Sequence, residues 1–178
     1  ARLVRCRGEL MLEAGKQRPG TMTAVIGLES AEVESICATC SAEGGVVVAA
    51  NINAPDQTVI SGDPGTVARA GQLCKDAGAK RVMPLKVSGA FHSPLMAPAQ
   101  HGLHAELEAV SFSHPGFPVI ANATAEPITD AEDARRCLDE QLTSPVRWVD
   151  SMLRAADECG EQMRFVEVGP GKVLSGLG

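Results

Sequence analysis

The chain has 178 residues, of which 44% are hydrophobic, enough for one domain with a substantial core and a small additional subdomain. A net charge of −6 and the lack of tyrosine argue against a nucleic-acid surface, and the charge also argues against binding to anionic membranes. No apolar run is long enough to span a bilayer, and the charged N-terminus does not look like a signal peptide, so we expect a cytoplasmic protein.

Helical and strand periodicities alternate along most of the chain. They predict helices over residues 1–14, 30–42, 63–77, 93–110, 131–142 and 146–158. They predict strands over residues 21–28, 46–53, 57–61, 81–87, 117–122 and 164–168. The first helix begins without a capping residue, and a final helix at 172–177 stops soon after it starts, so we expect a chain cut from a longer one.

The element order over residues 21–88 is β-α-β-β-α-β, which is that of a ferredoxin-like split unit. The predicted strand at 117–122 is apolar on both faces, as in a buried parallel sheet. We therefore expect an α/β fold that combines part of a parallel-sheet core, at 1–20 and 89–178, with a ferredoxin-like subdomain at 21–88.

Two of the six cysteines, Cys37 and Cys40, have the CxxC spacing of zinc and redox sites. No second CxxC or CxxH follows them, and they lie inside a predicted helix rather than at its start. We expect reduced thiols that pack as small hydrophobic side chains and bind no metal, with a zinc or redox site as the alternative.

His92 lies where a predicted strand ends, at Ser88 and Gly89, and a predicted helix begins, at Ser93 and Pro94. A side chain at such a junction can face a cleft while rigid elements hold it on both sides. Histidine is suited to proton transfer near neutral pH, although an ordinary loop histidine is the alternative.

The segment 141–145 ends one predicted helix and begins another. A backbone carbonyl at a helix end has no intrahelical partner. Such a carbonyl is free to accept a hydrogen bond from a ring nitrogen of His92.

Two other positions have the polarity of a binding site. Arg7 stands beside Gly8 on a largely apolar helix, where a buried guanidinium would require a carboxylate partner; a solvated helix face is the alternative. Asn51 and Asn53 place two amides on one face of a predicted strand, and hydrogen bonds within the following turn are their alternative role. The chain contains no GxSxG elbow, and GPGK at 169–172 lacks P-loop spacing, so the residues alone assemble no complete catalytic set.

Together these segments resemble the malonyl-coenzyme A to acyl-carrier-protein transacylases of fatty-acid synthesis and the related acyltransferase domains of polyketide synthases. The motifs are RCRGELM (5–11), PGTMTAVIG (19–27), NINAPDQ (51–57), VISG (59–62), GAFHSPLM (89–96), QLTSPVRW (141–148) and EVGPGKVL (167–174). The resemblance covers the whole chain. It implies a hydrolase-like α/β core with an inserted ferredoxin-like subdomain, which agrees with the element order.

The resemblance also implies ping-pong transfer, in which a serine takes the malonyl group and the phosphopantetheine thiol of acyl carrier protein receives it. His92 matches the histidine base, and Gln141 matches the residue whose carbonyl orients that base. Arg7 matches the arginine that grips the malonyl carboxylate, and Asn51 matches an asparagine that lines the site. Phe91 matches a position where phenylalanine goes with malonyl and smaller residues go with methylmalonyl. The implied partners are malonyl-CoA and acyl carrier protein; no cofactor is implied, and we expect a monomer.

In this family the serine lies in a GHSxG elbow shortly upstream of the arginine helix, and an early glutamine loop helps to form the oxyanion hole. The chain contains neither, so we expect it to be the C-terminal part of a transacylase and to be inactive by itself. One alternative is the acyltransferase domain of a polyketide synthase. Another is a non-catalytic ferredoxin-like binding module, which the lack of the serine favours.

Overall fold

A computed structural model describes residues 1–160 and 164–177, which form a mixed α/β fold with one open five-stranded sheet. The helices are α1 (Arg2–Gln17), α2 (Ser30–Ala42), α3 (Pro64–Asp76), α4 (Ala97–Glu108), α5 (Ala131–Glu140) and α6 (Trp148–Cys159). The strands are β1 (Thr21–Ile26), β2 (Val47–Ala54), β3 (Gln57–Gly62), β4 (Arg81–Pro84) and β5 (Val146–Arg147). Short 3₁₀ helices form at Pro94–Met96 and Leu174–Gly176.

The strand order in the sheet is β4-β1-β3-β2-β5. Strands β1 to β4 pair antiparallel, and β5 adds to the outer edge of β2 in parallel, with Asn51 opposite Val146. The element order predicted for residues 21–88 matches this arrangement. The predicted strand 81–87 is shorter than expected, since a tight turn between Val87 N–H and the Leu85 carbonyl (3.1 Å) redirects the chain after β4.

The two faces of the sheet are covered by different parts of the chain. Helices α2 and α3 cover one face, where the buried residues are Val25, Leu28, Val33, Cys37, Cys40, Val47, Ile60, Val67, Ala70 and Cys74. On the other face Met22, Ala24, Ala50 and Val59 pack against Leu85 and Phe91. The segment that follows β4 therefore crosses the second face.

The cysteine pair lies in the helix-covered core. Cys37 and Cys40 are 3% and 0% exposed, and burial raises the pKa of the Cys37 thiol to about 12. Within residues 1–160 and 164–177, no three histidine, cysteine, aspartate or glutamate side chains come together as metal ligands. These thiols pack as small hydrophobic groups.

A second core lies outside the sheet, between α1 and α4. Its buried residues are Ala14, Met96, Ala99, Leu103, Leu107 and Leu142. Leu142 belongs to the connection between α5 and β5, so this core also anchors that connection. In the part of the chain that the structure describes, no helix is both long and apolar enough to cross a membrane.

Other predicted elements also differ in the structure. Residues 117–122 form only a single bridge, between Ile120 and Pro127, and residues 164–168 form no strand. A strand needs a neighbour with which to share backbone hydrogen bonds, and residues 164–168 pair with no other described backbone segment. The predicted helix 146–158 begins at Trp148 instead, because the two residues before it extend the sheet at the free edge of β2.

Helix α1 lies directly against the turn that follows β4. A Cβ placed on Gly15 would lie 2.5 Å from the carbonyl oxygen of Ser88 and 3.5 Å from the Cα of Gly89. Real side chains do not approach a backbone oxygen so closely, so the contact requires glycine.

We expect Gly15→Ala to lower the free energy of unfolding by about 1–3 kcal/mol, the usual result of forcing a methyl group into a packed interface. Gly8→Ala is the matched control on the same helix, because nothing lies within 4 Å of a Cβ there. Alanine favours a helix by about 1 kcal/mol over glycine, so the control should gain stability. Urea denaturation measures both, and an unchanged Gly15→Ala variant would mean that the turn does not constrain α1.

Candidate active site

The backbone of His92 adopts the left-handed conformation, with φ at 58°. This conformation is uncommon for residues other than glycine and needs support from the surroundings. Ser93 provides it, since its buried hydroxyl donates to the Ala90 carbonyl (2.7 Å) and accepts from Leu95 N–H (3.3 Å). The serine is also the N-cap of the following 3₁₀ helix, as predicted. A closed hydrogen-bonded turn therefore sets the direction of the His92 side chain.

The imidazole of His92 faces the end of α5. Its Nδ1 lies 3.0 Å from the backbone carbonyl oxygen of Gln141. A carbonyl only accepts, so we assign the ring hydrogen to Nδ1, which in the neutral ring leaves the lone pair on Nε2. No residue that the structure describes hydrogen-bonds Nε2. The ring is therefore held through Nδ1, and Nε2 is available to accept a proton.

Gln141 caps α5, and its N–H donates to the Cys137 carbonyl (3.1 Å). Its side-chain amide donates to the carbonyls of Ser144 (3.1 Å) and Pro145 (3.3 Å), which folds the connection to β5 back over the residue. The Gln141 carbonyl has no helical partner and is therefore free to accept a hydrogen bond from His92. The contact considered from the sequence, between a helix-end carbonyl and the His92 ring, is present.

Burial lowers the pKa of His92, hydrogen bonding to the backbone of Gln141 and Ser144 acts in the opposite direction, and the positive charge of Arg7 lowers the pKa further. The ring is therefore predominantly neutral at pH 7, and the neutral form is the one that can accept a proton.

Arg7 is partly buried on α1, and burial lowers the pKa of its guanidinium. An arginine remains charged in spite of such a shift. Among the described residues no carboxylate lies within ion-pair distance of it, whereas the neighbouring, exposed Arg5 pairs with Glu9 (3.6 Å). A partly buried cation without a protein counter-ion is suited to bind an anionic group from outside the chain.

A register shift in β2 places Asn51 on the face of the sheet that Phe91 covers. The pairing with β3 shifts register between Ala49 and Asn51, so that Asn51 lies opposite Val59. Directly paired residues share a face, and Val59 packs on the face that Phe91 covers. A second shift after Ile52 interrupts the regular alternation that would put both amides, Asn51 and Asn53, on one face. Nothing in the sequence pattern signalled either shift.

Phe91 is partly buried and packs against both the sheet core and the α1–α4 core. It therefore contributes to packing whatever else it does. Strand β5, which sequence analysis missed, completes the site by attaching the connection that carries Gln141 to the strand that carries Asn51. Strand β5 has only two residues, which are too few to show the alternating hydrophobic pattern of a strand.

Comparison with known proteins gives a consistent result. Residues 1–176 match the acyl transferase domain family. The chain is 46% identical over 176 residues to the malonyl CoA-acyl carrier protein transacylase of Salmonella typhimurium, covering 99% of this chain and 56% of that protein. It is 43% identical over 174 residues to the transacylase of Bacillus subtilis, covering 98% and 54%. The chain thus spans about half the length of the curated relatives it matches.

Solved structures give the same picture. An acyl carrier protein S-malonyltransferase from Vibrio cholerae superimposes with a TM-score of 0.92 at 43% identity, over 99% of this chain and 56% of that one. A malonyl-transacylase in complex with the acyl-carrier protein of a type II polyketide synthase gives 0.91 at 41% identity, over 99% and 56%.

The effect of the Arg7 charge on the pKa of His92 should be measurable. We expect Arg7→Met, which keeps a long unbranched side chain but removes the charge, to raise the pKa of His92 toward its ordinary value. Arg5→Met is the control, since Arg5 is exposed and paired with Glu9 on the same helix. NMR titration of the histidine ring protons measures both variants. An equal His92 pKa in the two would mean that Arg7 does not act on the ring.

Proposed function

Since the chain belongs to the acyl transferase domain family, we propose that it supplies the base and the carboxylate-binding cation of a malonyl transferase. The proposed reaction moves malonyl from malonyl-CoA to the phosphopantetheine thiol of acyl carrier protein, as the names of its relatives indicate for them. The observation that carries the proposal is a neutral histidine beside a partly buried arginine, where the described residues provide neither a hydrogen-bond partner for Nε2 of the histidine nor a counter-ion for the arginine.

In the proposed mechanism a serine hydroxyl attacks the thioester carbonyl of malonyl-CoA and gives its proton to Nε2 of His92. The serine would come from the part of the relatives that this chain does not match. The imidazolium then returns the proton to the departing sulfur, which releases coenzyme A as a thiol and leaves an acyl-serine. In the second half the carrier thiol gives its proton to His92 and attacks the acyl-serine carbonyl; the ester bond to serine breaks, the imidazolium protonates the departing serine oxygen, and malonyl is left on the carrier sulfur.

Gln141 has the role of holding His92 by Nδ1 in this mechanism, so that Nε2 is the atom that takes up the proton. A partner on the far ring nitrogen both fixes the tautomer and orients the ring.

Arg7 would bind the free carboxylate of the malonyl group. A guanidinium matches a carboxylate through two parallel hydrogen bonds, which acetyl cannot form. An acyl group without the carboxylate would leave the partly buried charge unpaired, and this penalty gives selectivity for malonyl.

Asn51 and Phe91 would line the acyl site. Asn51 shares the Phe91 side of the sheet by virtue of the register shift in β2. The Phe91 ring would occupy the volume that the α-methyl branch of methylmalonyl needs. Its contacts with both cores make the ring difficult to displace, which supports a steric role.

The same family membership suggests a finer description of the fold. We propose that residues 21–88 are a ferredoxin-like subdomain inserted into a hydrolase-like core formed by 1–20 and 89–178, of which 161–163 and 178 lie outside the described part. The antiparallel order β4-β1-β3-β2 with both helices on one face supports the first assignment. The packing of α1 against α4, outside the sheet, supports grouping the flanking segments.

A cytoplasmic location is supported by the six free cysteines, which fit a reducing compartment. The lack of a cofactor and the monomeric state stay predictions. Transfer to a carrier protein of polyketide synthesis is a second candidate, favoured by the likeness to a transacylase solved with such a carrier. Labelling rates with carriers of both kinds would separate the two.

The proposal can be tested in a chimera that joins this chain to the part of the Salmonella transacylase that it does not match. We expect the chimera to transfer radiolabelled malonyl to acyl carrier protein. His92→Asn should lower kcat/KM by about 10²–10⁴-fold, the usual contribution of a general base. Asparagine tolerates the left-handed backbone, so the turn should survive the change.

His101→Asn on the exposed surface of α4 is the control and should keep full activity. A folded chimera without transferase activity, or an active His92→Asn variant, would contradict the proposed function. The first result would favour a non-catalytic binding module.

Selectivity gives a separate test of Arg7 in the same chimera. Arg7→Met should reduce malonyl transfer by about 30-fold or more, because losing a desolvated charge pair costs roughly 2–5 kcal/mol. Acetyl transfer should fall less or rise, since acetyl has no carboxylate to lose. Arg5→Met should change neither rate. A loss of less than about tenfold in malonyl transfer would mean that Arg7 does not bind the malonyl carboxylate.

A further inference from the structure

The carbonyl of Gln141 lies at the C-cap of α5, where the Gln141 N–H donates to the Cys137 carbonyl (3.1 Å) and the N–H groups of Thr143 and Ser144 donate to the Glu140 carbonyl (3.1 and 3.0 Å), bonds that fix the turn locally. The angle of the Gln141 carbonyl to His92 decides which ring nitrogen keeps the hydrogen. A contact between this turn and the segment around His92 would fix that angle further.

One side chain on α4 makes that contact. The amide nitrogen of Gln100 donates to Oδ2 of Asp139 (3.3 Å), and its amide oxygen accepts from the hydroxyl of Thr143 (3.1 Å). Asp139 is two residues before Gln141 and Thr143 is two residues after it. A single amide thus joins both flanks of the carbonyl-bearing residue to the helix that follows His92.

The chemistry of this contact suits an amide. Asp139 accepts from the amide nitrogen and the Thr143 hydroxyl donates to the amide oxygen, while the same hydroxyl also lies 3.4 Å from the Glu140 carbonyl. A carboxylate at position 100 would face the carboxylate of Asp139, and a lysine would have nothing to accept the threonine hydrogen. All three side chains are partly buried, so water competes with these bonds less than at the open surface.

The contact is separate from the anchor that keeps the connection in the fold. Leu142 is 0% exposed and lies in the α1–α4 core. With Leu142 in place, removal of the Gln100 amide should free the backbone on either side of Gln141 without detaching the connection.

We propose that Gln100 is a positioning residue, which holds the Gln141 carbonyl opposite Nδ1 of His92 and so keeps Nε2 free to accept a proton. Its importance for catalysis rests on the proposed function of His92. Its effect on the tautomer does not.

The tautomer can be read directly from the ¹⁵N chemical shifts of the His92 ring in the 178-residue chain, assigned by the signals that His92→Asn removes. We expect the wild-type chain to hold Nδ1–H. Gln100→Ala and the nearly isosteric Thr143→Val should each give a mixture with the Nε2–H form. Gln72→Ala is the matched control. The Gln72 amide also donates to an aspartate, Asp76 (2.9 Å), but on the exposed surface of another helix, α3.

Retention of pure Nδ1–H in both Gln100→Ala and Thr143→Val would overturn the proposal. A mixture of tautomers in Gln72→Ala would also overturn it, because the change would then result from general destabilisation and not from loss of the Gln100 contact. If Gln100→Ala does not fold, Thr143→Val decides the question, since it removes only one hydroxyl.

In the Salmonella chimera each of the two variants should lower kcat by about fivefold, the change that corresponds to one ordinary hydrogen bond, with KM for malonyl-CoA unchanged. The double variant should lose no more than Gln100→Ala alone, because Gln100→Ala already removes the bond to Thr143. Additive losses or a raised KM would contradict a positioning role. An active His92→Asn chimera would instead contradict the proposed function and leave the tautomer result standing.

Discussion

The site depends on how closely three backbone segments approach one another around residues 88–90. Gly15 at the end of α1 contacts the Ser88 carbonyl, and a Cβ on Gly20, just before β1, would lie 2.4 Å from the Cβ of Ala90. The turn that carries His92 is therefore enclosed between a helix and a strand that are adjacent in sequence. This packing holds α1, which carries Arg7, against the segment that carries His92. A larger residue at either glycine would push these segments apart.

The electrostatics of the site follow from that enclosure. Burial and a neighbouring cation both favour the uncharged imidazole, and burial also disfavours the guanidinium charge. Two positive charges in one partly buried site repel each other, so the site in its free form holds one cation and a neutral base. An incoming anion would compensate Arg7 and relieve its influence on the ring. Under the proposed function, binding of the acyl carboxylate would thus make His92 a stronger base.

The sequence predicted those parts of the fold whose hydrophobic pattern is local. Helices α2 and α3 and the strands around them bury residues at regular spacing, and their bounds were predicted to within a few residues. The strands expected at 117–122 and 164–168 were wrong, because an apolar run becomes a strand only where another backbone pairs with it. Strand β5 was missed for the opposite reason, since its pairing with β2 is decided by the free edge of that strand. The residues of the candidate site came from motifs, while the register shift that turns Asn51 toward Phe91 has no sequence signature.

The hydrogen bond between His92 and Gln141 joins residues that are 49 positions apart, and the attachment of β5 to β2 spans a still longer stretch of chain. Closing such long loops delays the contacts that depend on them, whereas the hairpin of β2 and β3 needs almost no closure. The sheet is therefore expected to form early during folding and the imidazole–carbonyl contact late. Contacts that form last also tend to open first, in local fluctuations that leave the rest of the molecule intact. A local opening of the α5–β5 connection would therefore end the contact between Nδ1 of His92 and the Gln141 carbonyl without global unfolding of the protein.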